Sequence, residues 1–228
     1  MSSGSTNEYE VHEWESLKGP FNASYGKVMM WYFLISDTFV FGAFLVAYAA
    51  ARTSNAESWP MASEVFSTVP GLSGNHYPLV FVSFMTFVLI ISSVTMVRAV
   101  QEGFMGNRNG VIKYLIPTIA MGLLFLGCQY LEWSHLIHEG MTMWYTPFSA
   151  LGHGHEGPQQ FGMFFFTITG FHGMHVVTGV LLNIWLLVET AKGRFDKLGN
   201  YGMVEKVGLF WHFVDLVWVY VFLGYYLL

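Results

Sequence analysis

Five long apolar runs dominate the sequence, and nothing constrains its fold more. Counting from the N-terminus they cover Gly26 to Ala51, Pro78 to Val100, Lys113 to Ile137, Gln160 to Thr190 and Val207 to Leu228. Crossing a bilayer takes about 20 predominantly apolar residues in helical form. Inside lipid the backbone must satisfy its own polar groups, so a run of this length predicts a transmembrane helix. Composition agrees: 54% of the 228 residues are hydrophobic and 11% charged, where a soluble domain spends about a quarter on charge. The expected fold class is an all-α, polytopic membrane bundle of five transmembrane helices. The fourth run is long for a simple span, so tilt or an extension beyond the bilayer is expected. No internal repeat is visible, and no basic cluster marks a nucleic-acid partner.

Two parts are expected: a polar N-terminal segment, 1–25, and a five-helix transmembrane domain, 26–228. The first of these carries Glu8, Glu10, Glu13 and Glu15 and has no apolar core of the kind a cleaved signal peptide needs. Lys and Arg set the orientation. Nine of the ten lie on alternate connections: Lys18 and Lys27, then Arg98, Arg108 and Lys113, then Lys192, Arg194, Lys197 and Lys206. Only Arg52 falls on the other side. The positive-inside rule therefore predicts a cytoplasmic N-terminus and a periplasmic C-terminus, in a multi-pass protein of a bacterial inner membrane.

Lipid supplies no hydrophobic drive between helices, so small and hydrogen-bonding residues must mediate packing. Two stripes at helical spacing are expected to face protein: Ala43, Ala47 and Ala50 in the first run, and His172, His175, Gly179 and Asn183 in the fourth. The lone Cys128 reads as a core residue with no disulfide partner in the chain.

Three carboxylates fall inside predicted spans: Asp37, Glu132 and Asp215. Carrying an Asp at a helix centre costs roughly 2.5–3.5 kcal/mol, so such groups are neutral, paired or turned to a polar cavity. No Lys or Arg is predicted at their depth, which leaves protonation or histidine pairing. Asp37 and Glu132 are candidates for proton handling; structural hydrogen bonding between helices is the competing role. His212 and Asp215, three residues apart, are expected to share a face and pair. Glu132 and His135 form a Glu-x-x-His step, one quarter of a di-iron carboxylate site. The second step and its two further glutamates are missing, so no metal site is expected. The His172/His175 pair reads as packing, and His153-Gly154-His155 as a polar loop. Histidine boxes, nucleophile motifs and phosphate-binding Gly loops do not occur, and catalysis by this chain alone is not expected.

Four segments, in order, carry a family resemblance. They are Trp31–Asp37 (WYFLISD), Gln129–Glu132 (QYLE), Phe164–Val176 (FFFTITGFHGMHV) and Trp211–Trp218 (WHFVDLVW). They resemble subunit III of the haem–copper oxidases, in its five-helix bacterial form. That resemblance implies a core subunit with no redox centre of its own. Haems and copper are expected in partner subunits, subunit I being the main contact, with subunit II and small subunits nearby and a respiratory supercomplex as a wider setting. Phospholipid is expected as a bound component. The complex reduces O2 to water and translocates protons; cytochrome c is the expected electron donor, with quinol the alternative.

The resemblance also assigns residues. Asp37 stands where many members carry a carbodiimide-reactive glutamate after the serine, one methylene longer. Gln129, His172, His175, His212 and Asp215 become interhelical or lipid contacts, and Asp37 and Glu132 the proton-linked candidates. An accessory subunit of a nitric oxide reductase would keep the same fold. A free-standing proton-coupled transporter using Asp37 and Glu132 is the remaining alternative, but the inverted repeats and broken helices typical of transporters are absent from the sequence.

Overall fold

The computed structural model describes residues 25–60, 65, 80–147, 149, 157–198 and 201–227, and the described residues are helical or loop with no strand. Six α-helices follow in order: α1 Tyr25–Ser54, α2 Val80–Phe104, α3 Arg108–His138, α4 Gln159–Ala191, α5 Arg194–Leu198 and α6 Gly202–Phe222. A π-turn, Leu223–Leu227, continues α6 to the end of the described chain. Five of these elements are long and apolar enough to cross a membrane: α1 to α4, and α6 with its π-turn. The N-terminal segment, and with it most of the predicted 1–25 unit, lies outside the described residues. So do His153 and His155.

The structure moves two boundaries by five residues: α6 begins at Gly202 rather than Val207, and α3 is displaced likewise. The sequence places the start of the third span at Lys113, yet α3 begins at Arg108. Asn107 explains the shift: its side chain accepts from Gly110 N at 3.2 Å and caps the helix one turn before the apolar run starts. Gly106, at φ 67°, makes the preceding turn, a conformation with little penalty only for glycine. With three residues between them, α2 and α3 form a tight antiparallel hairpin. The short helix α5, in the connection between the fourth and fifth spans, is too brief to leave an apolar signature.

Trp211 on α6 is the centre of the packing. It is fully buried, its indole Nε1 donates to Ser92 Oγ of α2 at 3.0 Å, and its ring fills the space left by two glycines. A Cβ added at Gly122 of α3 would lie 2.8 Å from Trp211 Cη2, and one added at Gly179 of α4 would lie 2.8 Å from Trp211 Cε3. One side chain thus locks α6 against three helices, with glycines permitting the approach. The His172/His175/Gly179/Asn183 stripe faces this interior and is buried.

Within this chain the first helix packs through a different face from its alanine stripe. Ala43, Ala47 and Ala50 are exposed on α1 rather than packed inside the bundle. The face that α1 buries is Leu34, Asp37, Phe41 and Tyr48. Large aromatic rings, not small residues, make the contact: Phe41 lies 5.0 Å from Phe171, and Tyr48 lies 4.1 Å from Tyr225, centroid to centroid. Cys128 is half-buried rather than fully buried.

Candidate functional site

The polar residues singled out in the sequence separate into three clusters, each joining different helices. The first joins α1 to α4. Asp37, 8% exposed, places Oδ2 3.2 Å from Nε2 of His175, inside ion-pair distance though off the line of a hydrogen bond. Phe41, Phe171 and Phe210 surround the imidazole. The other ring nitrogen, Nδ1, lies 2.8 Å from the carbonyl oxygen of Phe171 one turn earlier. A carbonyl only accepts, so Nδ1 carries a proton. Nε2 of a neutral imidazole would then be a bare acceptor opposite a carboxylate oxygen, two acceptors face to face. One further proton between Asp37 and His175 removes the conflict, as a carboxylic acid or as an imidazolium. In both forms the pair is neutral overall, as its depth in the apolar span requires.

The second cluster joins α3 to the π-turn. Glu132 is 4% exposed and accepts from Gln129 Nε2 at 3.1 Å and from the Tyr226 hydroxyl at 2.9 Å. Gln129 sits one turn away on the same helix, whereas Tyr226 arrives from the far end of the chain. Tyr225 and Tyr226 are both about 1% exposed. The widened π-turn is what carries two consecutive tyrosines inward. His135, the other half of the Glu-x-x-His step, points elsewhere and pairs with Glu139 at 3.4 Å.

The third cluster joins α2 to α6, and here an expectation fails. No ion pair connects His212 to Asp215; instead His212 Nδ1 lies 2.6 Å from the hydroxyl of Ser93. Asp215 is buried beside the same serine, with neither carboxylate oxygen in well-directed hydrogen-bond geometry. Ser93 stands between the two groups because α2 packs closely along this face of α6. His172 lies between the clusters, fully buried, against Phe125 and Trp218 at 5.9 and 5.2 Å. Neither of its ring nitrogens has a hydrogen-bond partner, and it packs as an aromatic ring. Among the described residues no three His, Cys, Asp or Glu side chains converge as a metal site would require.

Sequence reasoning found Asp37, His175, Glu132 and Gln129 but missed Tyr226, Ser93 and the Phe171 carbonyl. Tyr226 lies in an aromatic terminal run where no residue stands out. A serine inside an apolar helix gives no sign of its partner, and a backbone carbonyl gives none at all.

A bundle of five helices long and apolar enough to cross a membrane, with acid and histidine side chains buried between them, suits a multi-pass membrane protein. Residues 18–228 match the family model described as cytochrome c oxidase subunit III, and the chain belongs to that family. It resembles the "Probable cytochrome c oxidase subunit 3" of Mycobacterium leprae, 33% identical over 91% of this chain and 88% of the relative. It also resembles the "Cytochrome bo(3) ubiquinol oxidase subunit 3" of Pseudomonas putida, 31% identical over 87% of this chain and 83% of the relative. A third relative is the "Quinol oxidase subunit 3" of Bacillus subtilis, 34% identical over 64% of this chain and 65% of the relative. The chain is therefore a subunit III of a haem–copper oxidase, of the cytochrome c or quinol oxidase type. It is a membrane-bound respiratory-chain component that works within a multi-subunit complex.

Proposed function

We propose that this chain is the non-catalytic third subunit of a bacterial terminal oxidase, in which it steadies subunit I, contacts phospholipid and holds a proton at Asp37–His175 in support of proton uptake. The observation that carries the proton role is the doubly constrained imidazole. With Nδ1 committed to the Phe171 carbonyl, the 3.2 Å approach of Asp37 to Nε2 has room for one proton. Moving that proton between Asp37 and His175 keeps the pair neutral, whereas releasing it leaves a net negative charge that the next proton taken up must cancel. Haems and copper belong to partner chains on this reading, subunit I first among them, and the complex sits in the bacterial inner membrane with the N-terminus of α1 in the cytoplasm.

We infer cytochrome c as the electron donor. The support is the near full-length similarity to chains named as cytochrome c oxidase subunits, one of which spans 97% of this sequence at 31% identity. Quinol is the second reading, favoured by the relatives named as quinol oxidase subunits.

Affinity purification of the tagged chain in mild detergent, followed by a haem spectrum and turnover assays with reduced cytochrome c and with quinol, tests both statements. A haem-bearing complex that oxidises cytochrome c is expected. Turnover with quinol alone would move the assignment to the second reading, and a colourless, solitary chain would defeat both. In the same complex Asp37→Asn is expected to leave assembly intact while changing steady-state proton uptake or turnover lifetime modestly. Wild-type uptake and lifetime in the variant would remove the proton role.

A further inference from the structure

At one end of the bundle four cations among the described residues have acidic partners. Lys27 meets Glu205 at 2.5 Å, Arg108 lies 3.8 Å from Asp196, and Lys192 and Arg194 both reach Glu189, at 3.3 and 2.9 Å. Arg98 and Lys113 are different. Both are exposed, and neither has a carboxylate within ion-pair distance among the described residues. They flank one ring instead: the Arg98 guanidinium carbon and Lys113 Nζ each lie 5.9 Å from the centroid of Tyr114, within cation–π reach. The nearest acid along the chain, Glu102, is already engaged, accepting from Asn107 Nδ2 at 2.7 Å in the α2–α3 turn.

Depth gives these unneutralised charges a meaning. Arg98 is six residues before the end of α2 and Lys113 five residues after the start of α3. At about 1.5 Å per residue, both backbones lie roughly 8–9 Å below the turn. For helices of this length the backbones fall just inside the hydrocarbon boundary, and the long side chains reach outward to the phosphate layer. Arg98 does reach outward: its Nη1 donates at 2.8 Å to Oε1 of Gln101, nearly a turn closer to the surface. That bond leaves the Gln101 amide N–H group as a third donor, with no acceptor for it among the described residues. One turn inward from the cations, Val94 and Ile116 are exposed, continuing the same surface as an apolar track.

We propose that the α2–α3 hairpin binds the headgroup of an anionic phospholipid, its phosphate held by Arg98, Lys113 and Gln101 over the Tyr114 ring and its acyl chains lying along Val94 and Ile116. The proposal requires only that the five helices span the bilayer; it is independent of the electron donor and of the Asp37 role.

The test uses the intact oxidase complex reconstituted in phosphatidylcholine vesicles doped with a diazirine-bearing phosphatidylglycerol, or with phosphatidylcholine carrying the same diazirine. After irradiation, labelled peptides spanning 94–116 are quantified by mass spectrometry. With two cations engaged, phosphatidylglycerol is expected to label this hairpin roughly tenfold more than phosphatidylcholine. Arg98→Gln with Lys113→Gln should erase that preference, and Arg98→Lys with Lys113→Arg should keep it. Equal labelling of the wild-type hairpin by the two probes would overturn the proposal without any variant having to fold. So would an undiminished preference in the Gln double variant. A hairpin labelled by neither probe would mean that a partner chain covers it, and label displaced by inorganic phosphate would mean a soluble anion site; either result defeats the lipid assignment.

Discussion

His175 has Nδ1 fixed by the Phe171 carbonyl and Nε2 facing Asp37, and its neighbours respond differently to substitution. Asp37→Asn supplies an amide N–H that can donate to Nε2, as a protonated carboxyl would, so stability is expected to change by less than about 1 kcal/mol. Asp37→Leu removes the partner and leaves Nε2 buried without one, at a cost of about 1–3 kcal/mol. Thermal release of the subunit from the complex separates the two variants, and equal melting would mean that Nε2 finds another partner. A carbodiimide supplies a second readout, since it attacks carboxylic acids. Labelling at Asp37 that disappears in Asp37→Asn is expected, while unchanged labelling of the peptide would place the reactive acid elsewhere. The sequence singled out both residues because carboxylates and histidines are rare in apolar spans. It could not pair them, because the pairing depends on how α1 is rotated against α4.

At the scale of elements, the sequence yields the spans themselves, since each is a long apolar run bounded by polar turns. It misses where two of them begin, α3 and α6 each starting five residues earlier than the apolar run. The α3 start depends on Asn107 acting as a cap, and a cap lies in the polar segment that hydropathy discards. Nor does it show which face of α1 this bundle buries. Small residues at helical spacing suggest a packing stripe, yet Phe41 and Tyr48 provide larger contact area against α4 and the π-turn. The His212–Asp215 pair fails for a related reason: spacing along one helix cannot reveal that Ser93 of the next helix stands between them. The π-turn carries its own prediction. Tyr226→Phe removes the interhelical donor to Glu132, and about 1–3 kcal/mol is expected to be lost. Combining it with Glu132→Leu should restore part of that loss, because both polar partners then leave together. Chemical denaturation of the complex in detergent reads both, and a fully additive double variant would show that the two residues are not coupled.

For the whole molecule, Trp211 decides whether the bundle is one body. Trp211→Ala would empty a socket walled by α2, α3 and α4, at a cost of about 3–5 kcal/mol. Gly179→Ala presses a methyl onto the same ring from the opposite direction, and overpacking of this kind costs about 1–3 kcal/mol. Retention of the subunit on size-exclusion chromatography after mild heating should fall in the order wild type, Gly179→Ala, Trp211→Ala. A Gly179→Ala subunit as heat-resistant as the wild type would show that α4 can slide away from the indole.

The socket also bears on how the protein is made. Trp211 comes after every wall of its own socket in chain order, so α2, α3 and α4 enter the membrane while the position it will fill stands empty. Until α6 leaves the ribosome and the insertion machinery, Ser92 has no indole to bind and the two glycines face each other across a gap. Nascent chains halted before residue 211 should therefore be poorly packed and open to membrane proteases.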